Sequence, residues 1–345
     1  MSSPVLPPQR TPEPAAVADW SPVARGSHVN QTPEQREAAV KAAAAARRSK
    51  RRARLLPHWL VIPAVAILAV GTGYPTLWQL WTSLHEYGLR QQFGQPAPFV
   101  WFANYTQLLS DSQFWAVLIR SLVFCFVAAS ITLLIGIAFA VLMSHVGKGP
   151  RLTLQIALLL AWSMPIVASM TVWTWLFDRR RGVVNYVLDM IPGVAMNRYN
   201  WLEDPLSFFA VAAIIVIWMS VPFVAFSIYA GLTQIPEEVM EASALDGASG
   251  SQRLRLIILP MIKPVIAIVM LLQVIWDLRV FAQIRLLQDA GSSATDYDLL
   301  GTYIFKLGTG AQNFAGASAA SVMVLLITIT ISWWYVRKLL REDAS

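Results

Sequence analysis

The sequence is poor in charge, in cysteine and in catalytic constellations. Asp, Glu, Lys and Arg make up 14% of its 345 residues, where soluble domains carry about 25%. That deficit argues against a soluble fold. Cys125 is the single cysteine, which excludes an intrachain disulfide and CxxC metal spacing; it lies in an apolar run, where packing or lipid contact is the plain reading. The phosphate-cradling spacing GxxxxGK[ST] does not occur. Gly147-Lys148-Gly149 lacks both the glycine spacing and the hydroxyl residue that would follow. HExxH, paired carboxylates and Ser/His/Asp arrangements are missing as well, so no enzyme and no cofactor or metal of the chain's own is expected.

What the chain has in abundance is apolar residue, 56% of the total, gathered into long runs. A transmembrane helix needs about 20 such residues. Uncharged runs at 59–84, 121–144, 152–177, 206–235 and 314–336 meet that length. A sixth, 264–284, qualifies once Asp277 and Arg279 are accepted inside it; without it the flanking basic segments would need contradictory sidedness. The expected fold is an all-α integral membrane protein of six transmembrane helices, with spans at about 59–84, 116–144, 152–177, 206–235, 264–284 and 314–336.

The net charge is +7. Its basic residues flank the apolar runs, which points to membrane orientation rather than to nucleic acid. With the N-terminus cytoplasmic, the inside segments 47–58, 145–151, 236–263 and 337–345 hold fourteen Lys and Arg, against eight in the longer outside segments 85–120, 178–205 and 285–313. Both termini are therefore expected in the cytoplasm, with Arg179-Arg180-Arg181 as a local exception. Residues 1–58 read as a largely disordered cytoplasmic tail. Within it, Thr32-Pro33-Glu34-Gln35 has the form of a capping box, and the cluster from Arg47 to Arg54 either fixes topology or meets anionic lipid. The first apolar run starts too far in for a cleaved leader, so it is read as an uncleaved span of a multi-pass inner-membrane protein. Residues 59–340 form the six-span domain, residues 236–263 its long cytoplasmic loop, and residues 341–345 a short tail.

That loop carries local instructions. Pro236 suits a first helical position, and Glu237 and Glu238 favour the positive end of the helix dipole. Asp246-Gly247 marks a turn needing positive φ. Ser249 and Gln252 form a second candidate capping box, and Pro260 and Pro264 punctuate entry into the fifth span. Two short helices meeting at a glycine are expected.

Glu241-Ala242-Ser243, then Asp246-Gly247-Ala248, then Ile258-Leu259-Pro260 closely resembles the EAA loop of bacterial ABC importer permeases. The third loop residue in that family is usually alanine, where this chain has Ser243. The resemblance covers residues 59 to 340. Asn104-Tyr105, Phe114-Trp115, Gly182-Val183-Val184-Asn185, Trp218, Pro222 and Asp277-Leu278-Arg279-Val280-Phe281 are similar to the sugar branch that includes maltose and glycerol-phosphate permeases. The Gly-Gly-Pro run common after the fifth span is replaced by Asp289-Ala290-Gly291-Ser292-Ser293. The resemblance implies a type I ABC importer permease fold. It also implies that Glu237, Glu238, Glu241, Ala242, Ser243, Asp246, Gly247 and Ala248 couple the chain to the ATPase. The implied partners are a distinct second permease subunit, two copies of an ATPase holding ATP and Mg, an extracytoplasmic substrate-binding lipoprotein, membrane lipid and a sugar-like solute.

For the substrate path the residues themselves offer candidates. Ionisable groups inside a bilayer usually face a cavity or a partner. Asp277 lies about 21 Å along a helix from Lys263 at 1.5 Å per residue, in the outer half of the membrane. Asp277 and Arg279 do not share a helix face. Asp277 is read as a cavity-lining acceptor for hydroxyls, as half of an interhelical salt bridge, or as a group near the outer headgroups; the Gln273 carboxamide is read as bonding a sugar or a neighbouring helix. Trp276, beside Asp277, is a candidate platform for a sugar face, and Trp218 is a further path candidate; Trp162, Trp173 and Trp175 read as belt or core residues. Pro165 and Pro222 are candidate kinks. An ion-coupled secondary transporter would use midplane charges and internal repeats, and a non-transporting membrane assembly protein would not need the loop at 236–263.

Overall fold

A computed structural model describes Glu34 and residues 61–193, 196–291 and 294–342. The capping box at 32–35 and the basic cluster at 47–54 lie outside the described residues, Glu34 excepted, as do Ser292-Ser293 and the last three residues. By contacts, residues 1–72 and 73–345 form separate units; the first contributes residues 61–72, the start of helix α1 (Val61–Ser83). Everything that follows concerns the second unit.

Among the described residues the regular elements are all helices, apart from an isolated bridge between His85 and Phe99. Four helices are long and apolar enough to cross a membrane: α1, α3 (Ser112–His145), α7 (Pro205–Leu232) and α13 (Phe314–Glu342). Two bent pairs bring the number to six when each counts as one span. α4 (Lys148–Ser163) and α5 (Ile166–Leu176) meet at 100°. α9 (Gly250–Met261) and α10 (Lys263–Leu278) meet at 71°. Shorter helices fill the connections: α2 (Ala103–Ser110), α6 (Val183–Asp189), α8 (Glu237–Leu245), α11 (Ala282–Ala290) and α12 (Leu300–Phe305).

The third span was expected as one run, and the structure breaks it at Met164–Pro165. Both residues are extended, with ψ of 129° and 139°. The proline ring drives its predecessor out of the α region and removes a backbone donor, so α4 must stop before it. Pro222 has the milder outcome, because α7 runs through it unbroken. The expected fifth span 264–284 is also shorter. α10 ends at Leu278, leaving Arg279 outside the helix. Gly301 explains how the break is packed: a Cβ there would lie 2.8 Å from the Val280 carbonyl oxygen.

α3 and α7 form the central pair. On α3 the buried residues Ser121, Cys125, Ala128, Thr132, Gly136, Ala140 and Met143 recur every three or four positions, one helical face made mostly of small side chains. Phe208, Val211, Ala212 and Ile215 of α7 join Phe124 and Ala128 in the main core. The opposite faces stay apolar and exposed, with Leu134, Ile119 and Val123 open on α3. In water such a surface is unfavourable, whereas hydrocarbon accepts it at no cost.

Candidate functional site

At the end of α7, Pro236 (ψ 137°) serves as the N-cap of α8, one position before the expected one. Glu237 and Glu238 occupy the first turn, where the helix dipole favours them. At the other end Gly247 has φ of +75°. Its N–H donates to the Ala244 carbonyl at 3.1 Å, and the Ala248 N–H donates to the Ser243 carbonyl at 3.1 Å. This pair of bonds is a Schellman closure, which needs a left-handed residue at the position of Gly247. Then Ser249 opens α9: its N–H donates to Gln252 Oε1 at 2.8 Å and its Oγ accepts from the Gln252 N–H at 3.4 Å. The expected helix–glycine–helix unit is therefore present, with both caps.

Ser243 is the one buried side chain of α8. Its hydroxyl donates to the Met240 carbonyl at 2.7 Å, so the extra oxygen relative to alanine is satisfied inside its own helix. Glu237, Glu238, Glu241, Ala242 and Asp246 are exposed, and Ala248 is half-buried. Leu245 is 89% exposed and Leu256 73%. The acidic α8 and the α9 that follows it thus each present an exposed leucine, the composition of a surface that another protein covers.

The path candidates separate onto two faces of α10. Gln273 is 0% and Asp277 3% exposed. One turn apart on one helix face, they pair: Gln273 Nε2 donates to Asp277 Oδ1 at 2.9 Å. Gln273 Oε1 and Asp277 Oδ2 have no partner. Beside them the Cys125 thiol of α3 donates to the Val274 carbonyl at 3.3 Å. The pair faces the interior of the chain, so Asp277 neither opens onto a cavity nor forms an interhelical ion pair among the described residues. Trp276, 46% exposed, lies on the open face, 4.9 Å from the Phe223 ring, and Arg279, just past the end of α10, is exposed as well. Trp218 of α7 is half-buried and meets Trp173 edge-on at 5.5 Å.

Several branch markers are structural clamps. Asn104 Nδ2 donates to the Ser83 and His85 carbonyls at 2.9 and 3.0 Å. Asn185 Oδ1 accepts from Trp201 Nε1 at 2.6 Å while its Nδ2 donates to the Tyr199 carbonyl at 2.9 Å. A Cβ on Gly182 would sit 2.3 Å from the Asp178 carbonyl oxygen.

Sequence reading missed one network. Asp298, fully buried, accepts from Lys306 Nζ at 2.8 Å and from Gln288 Nε2 at 2.9 Å. Arg120 Nη1 donates to the Asp298 and Thr295 carbonyls at 3.0 and 3.2 Å, tying the start of α3 to the connection that follows α11. Removing one partner of a buried pair strands the other charge. Lys306→Met is expected to destabilise the protein by about 3 kcal/mol, read as a lower unfolding temperature in detergent, with partial recovery in Asp298→Asn/Lys306→Met.

Residues 132–337 match the model of the family described as binding-protein-dependent transport system inner membrane component. The chain belongs to that family. This permease is 34% identical over 298 residues to the diacetylchitobiose uptake system permease protein DasB of Streptomyces coelicolor, covering 86% of this chain and 90% of that protein. It is 30% identical over 291 residues to the trehalose/maltose transport system permease protein MalF of Thermococcus litoralis, covering 83% and 95%. Its fold is that of a bacterial ABC transporter involved in the import of the acidic polysaccharide alginate, with a TM-score of 0.72 at 23% identity over 86% of this chain and 99% of that one. The permease is accordingly an inner-membrane, non-enzymatic subunit of an ABC importer, whose ATPase activity lies in other subunits.

Proposed function

We propose that this permease and a second permease subunit enclose the path of a carbohydrate importer, and that residues 237–248 dock on a cytoplasmic ATPase. The observation that carries the reading is the α8–Gly247–α9 unit, rigidly capped and carrying Leu245 uncovered. In this reading two ATPase copies hold ATP and Mg, an extracytoplasmic lipoprotein delivers the cargo, and both termini lie in the cytoplasm. ATP-driven closure moves α8, and the capped turn passes that motion to α7 and to α10.

Trp276 on the open face of α10, Arg279 just past its end and Trp218 of α7 line the path. An aromatic face and a guanidinium suit the C–H and hydroxyl surfaces of a sugar. The names of the saccharide-uptake relatives support the same cargo class. Gln273 and Asp277 fix the register of α10 from inside the chain.

The test is co-purification in mild detergent. Wild-type chain is expected to bring down the ATPase subunit, and Gly247→Asp/Glu241→Lys to lose it while still assembling with the second permease. An ATPase that co-purifies equally with the wild-type and the Gly247→Asp/Glu241→Lys chain would overturn the reading that residues 237–248 are the docking segment.

A further inference from the structure

Arg179-Arg180-Arg181 runs against the charge bias of the loops, and the coupling reading does not use it. The segment follows α5 at the end of α7 opposite to α8, since α7 begins at Pro205 and ends at Leu232. There the connection between α5 and α7 folds into a pocket of about 380 Å³ lined by Arg179, Arg180, Arg181, Arg198, Tyr186 and Asp189, among others.

The pocket is built on a scaffold. Asp178 Oδ1 accepts the backbone N–H groups of Arg181 and Arg180 at 2.7 and 2.9 Å. Those bonds, more than the nearby guanidinium charges, hold its carboxyl below the usual carboxylate range. Its charge is thus spent on the turn that presents the arginines. Arg179 Nε donates to the Arg198 carbonyl at 3.2 Å, drawing the two ends of the connection together. Asn185 clamps the connection at Tyr199 and Trp201. Asp189 accepts the Met196 N–H at 3.3 Å. None of the four guanidinium groups forms an ion pair among the described residues, and all four side chains are exposed.

Four like charges held together on an exposed turn repel one another, a cost that an anionic partner removes. We infer that this pocket is the electrostatic landing site for carboxylate side chains of the extracytoplasmic substrate-binding protein. The inference rests on the proposed function, which puts this end of α7 on the delivery side. A guanidinium fork matches a carboxylate in two parallel bonds, and the concavity admits projecting Asp or Glu side chains. Exposure to water and a fixed turn suit a soluble protein that must arrive quickly, be oriented and leave again.

The test uses the whole importer, with both permeases and its ATPase, in nanodiscs of neutral lipid. The probe is the cargo-loaded binding protein that stimulates its ATPase. Arg179→Gln/Arg180→Gln/Arg181→Gln is expected to slow association roughly tenfold or more at low salt and to flatten the salt dependence, with dissociation and basal ATPase activity little changed. The corresponding triple lysine variant, which keeps charge in place, is expected to retain the salt slope. Equal association rates and slopes for wild type and the glutamine variant would overturn the inference. So would unchanged association together with loss of binding to phosphatidylglycerol vesicles, which would make the pocket an anionic-lipid site. Failure of the proposed function is distinguishable, because the wild-type complex would then show no stimulation by the binding protein.

Discussion

A Gly247→Val substitution is expected to leave the permease in the membrane at normal levels and to lower cargo uptake by roughly an order of magnitude. At φ of +75° an L side chain costs about 1–2 kcal/mol, and a β-branched one is at the unfavourable end. Escaping that strain breaks the two closing hydrogen bonds to Ala244 and Ser243, at about 1 kcal/mol each. The two costs are alternatives, so the penalty is the smaller of them, about 2 kcal/mol, which corresponds to at most roughly a thirtyfold depletion of the geometry proposed for docking. Space is not the obstacle, since a Cβ on Gly247 would meet nothing within 4 Å. Gly247→Asn is therefore expected to keep most of the uptake, because asparagine tolerates the left-handed region. Uptake in cells, normalised to permease in the membrane fraction, reads both variants; equal losses in Val and Asn would assign the defect to side-chain volume instead of backbone conformation.

Gly136→Leu is expected to have the larger structural effect and to abolish recovery of folded permease. Even a Cβ at position 136 would lie 2.4 Å from Val224 Cγ1 and 3.2 Å from the Ala225 nitrogen, so α3 and α7 would have to separate along their most extensive contact. Overpacking a tight interior costs about 1–3 kcal/mol, and within a bilayer no hydrophobic drive between helices offsets the lost packing. Gly136→Ala/Val224→Ala removes the closer clash, with Cγ1 at 2.4 Å, but keeps the Val224 Cβ at 2.8 Å, and is expected to restore part of the monodisperse detergent peak that Gly136→Ala alone diminishes. A stable Gly136→Leu protein would show that the α3–α7 contact yields more readily than its geometry implies.

What was legible in the sequence was mostly local. The two caps of the 236–263 loop depend on residues at most five apart, so Pro236, Gly247, Ser249 and Gln252 announce them without tertiary help. Apolar run length places most of the spans, but Pro165 foretells a break and not its angle. The 100° between α4 and α5 depends on what each half packs against. Asp277 shows a partner overlooked: Gln273 stands four residues earlier, the spacing that puts two side chains on one face. The Asp298–Lys306 pair and the bonds from Arg120 join residues 8 and 178 positions apart, and no periodicity encodes such contacts.

The most direct measurement of the central claim is a site-specific cross-link from Leu245, the most exposed large apolar residue of the 236–263 loop. Cys125 is the only native thiol and is buried in the α3–α10 contact, so Leu245→Cys can be labelled alone with a photoactivatable maleimide. The account predicts a cross-link to the ATPase subunit in the assembled, transport-competent importer, with a yield that changes between the nucleotide-free and ATP-bound states. An importer that transports normally while the probe at position 245 reacts only with lipid or with the second permease would contradict it.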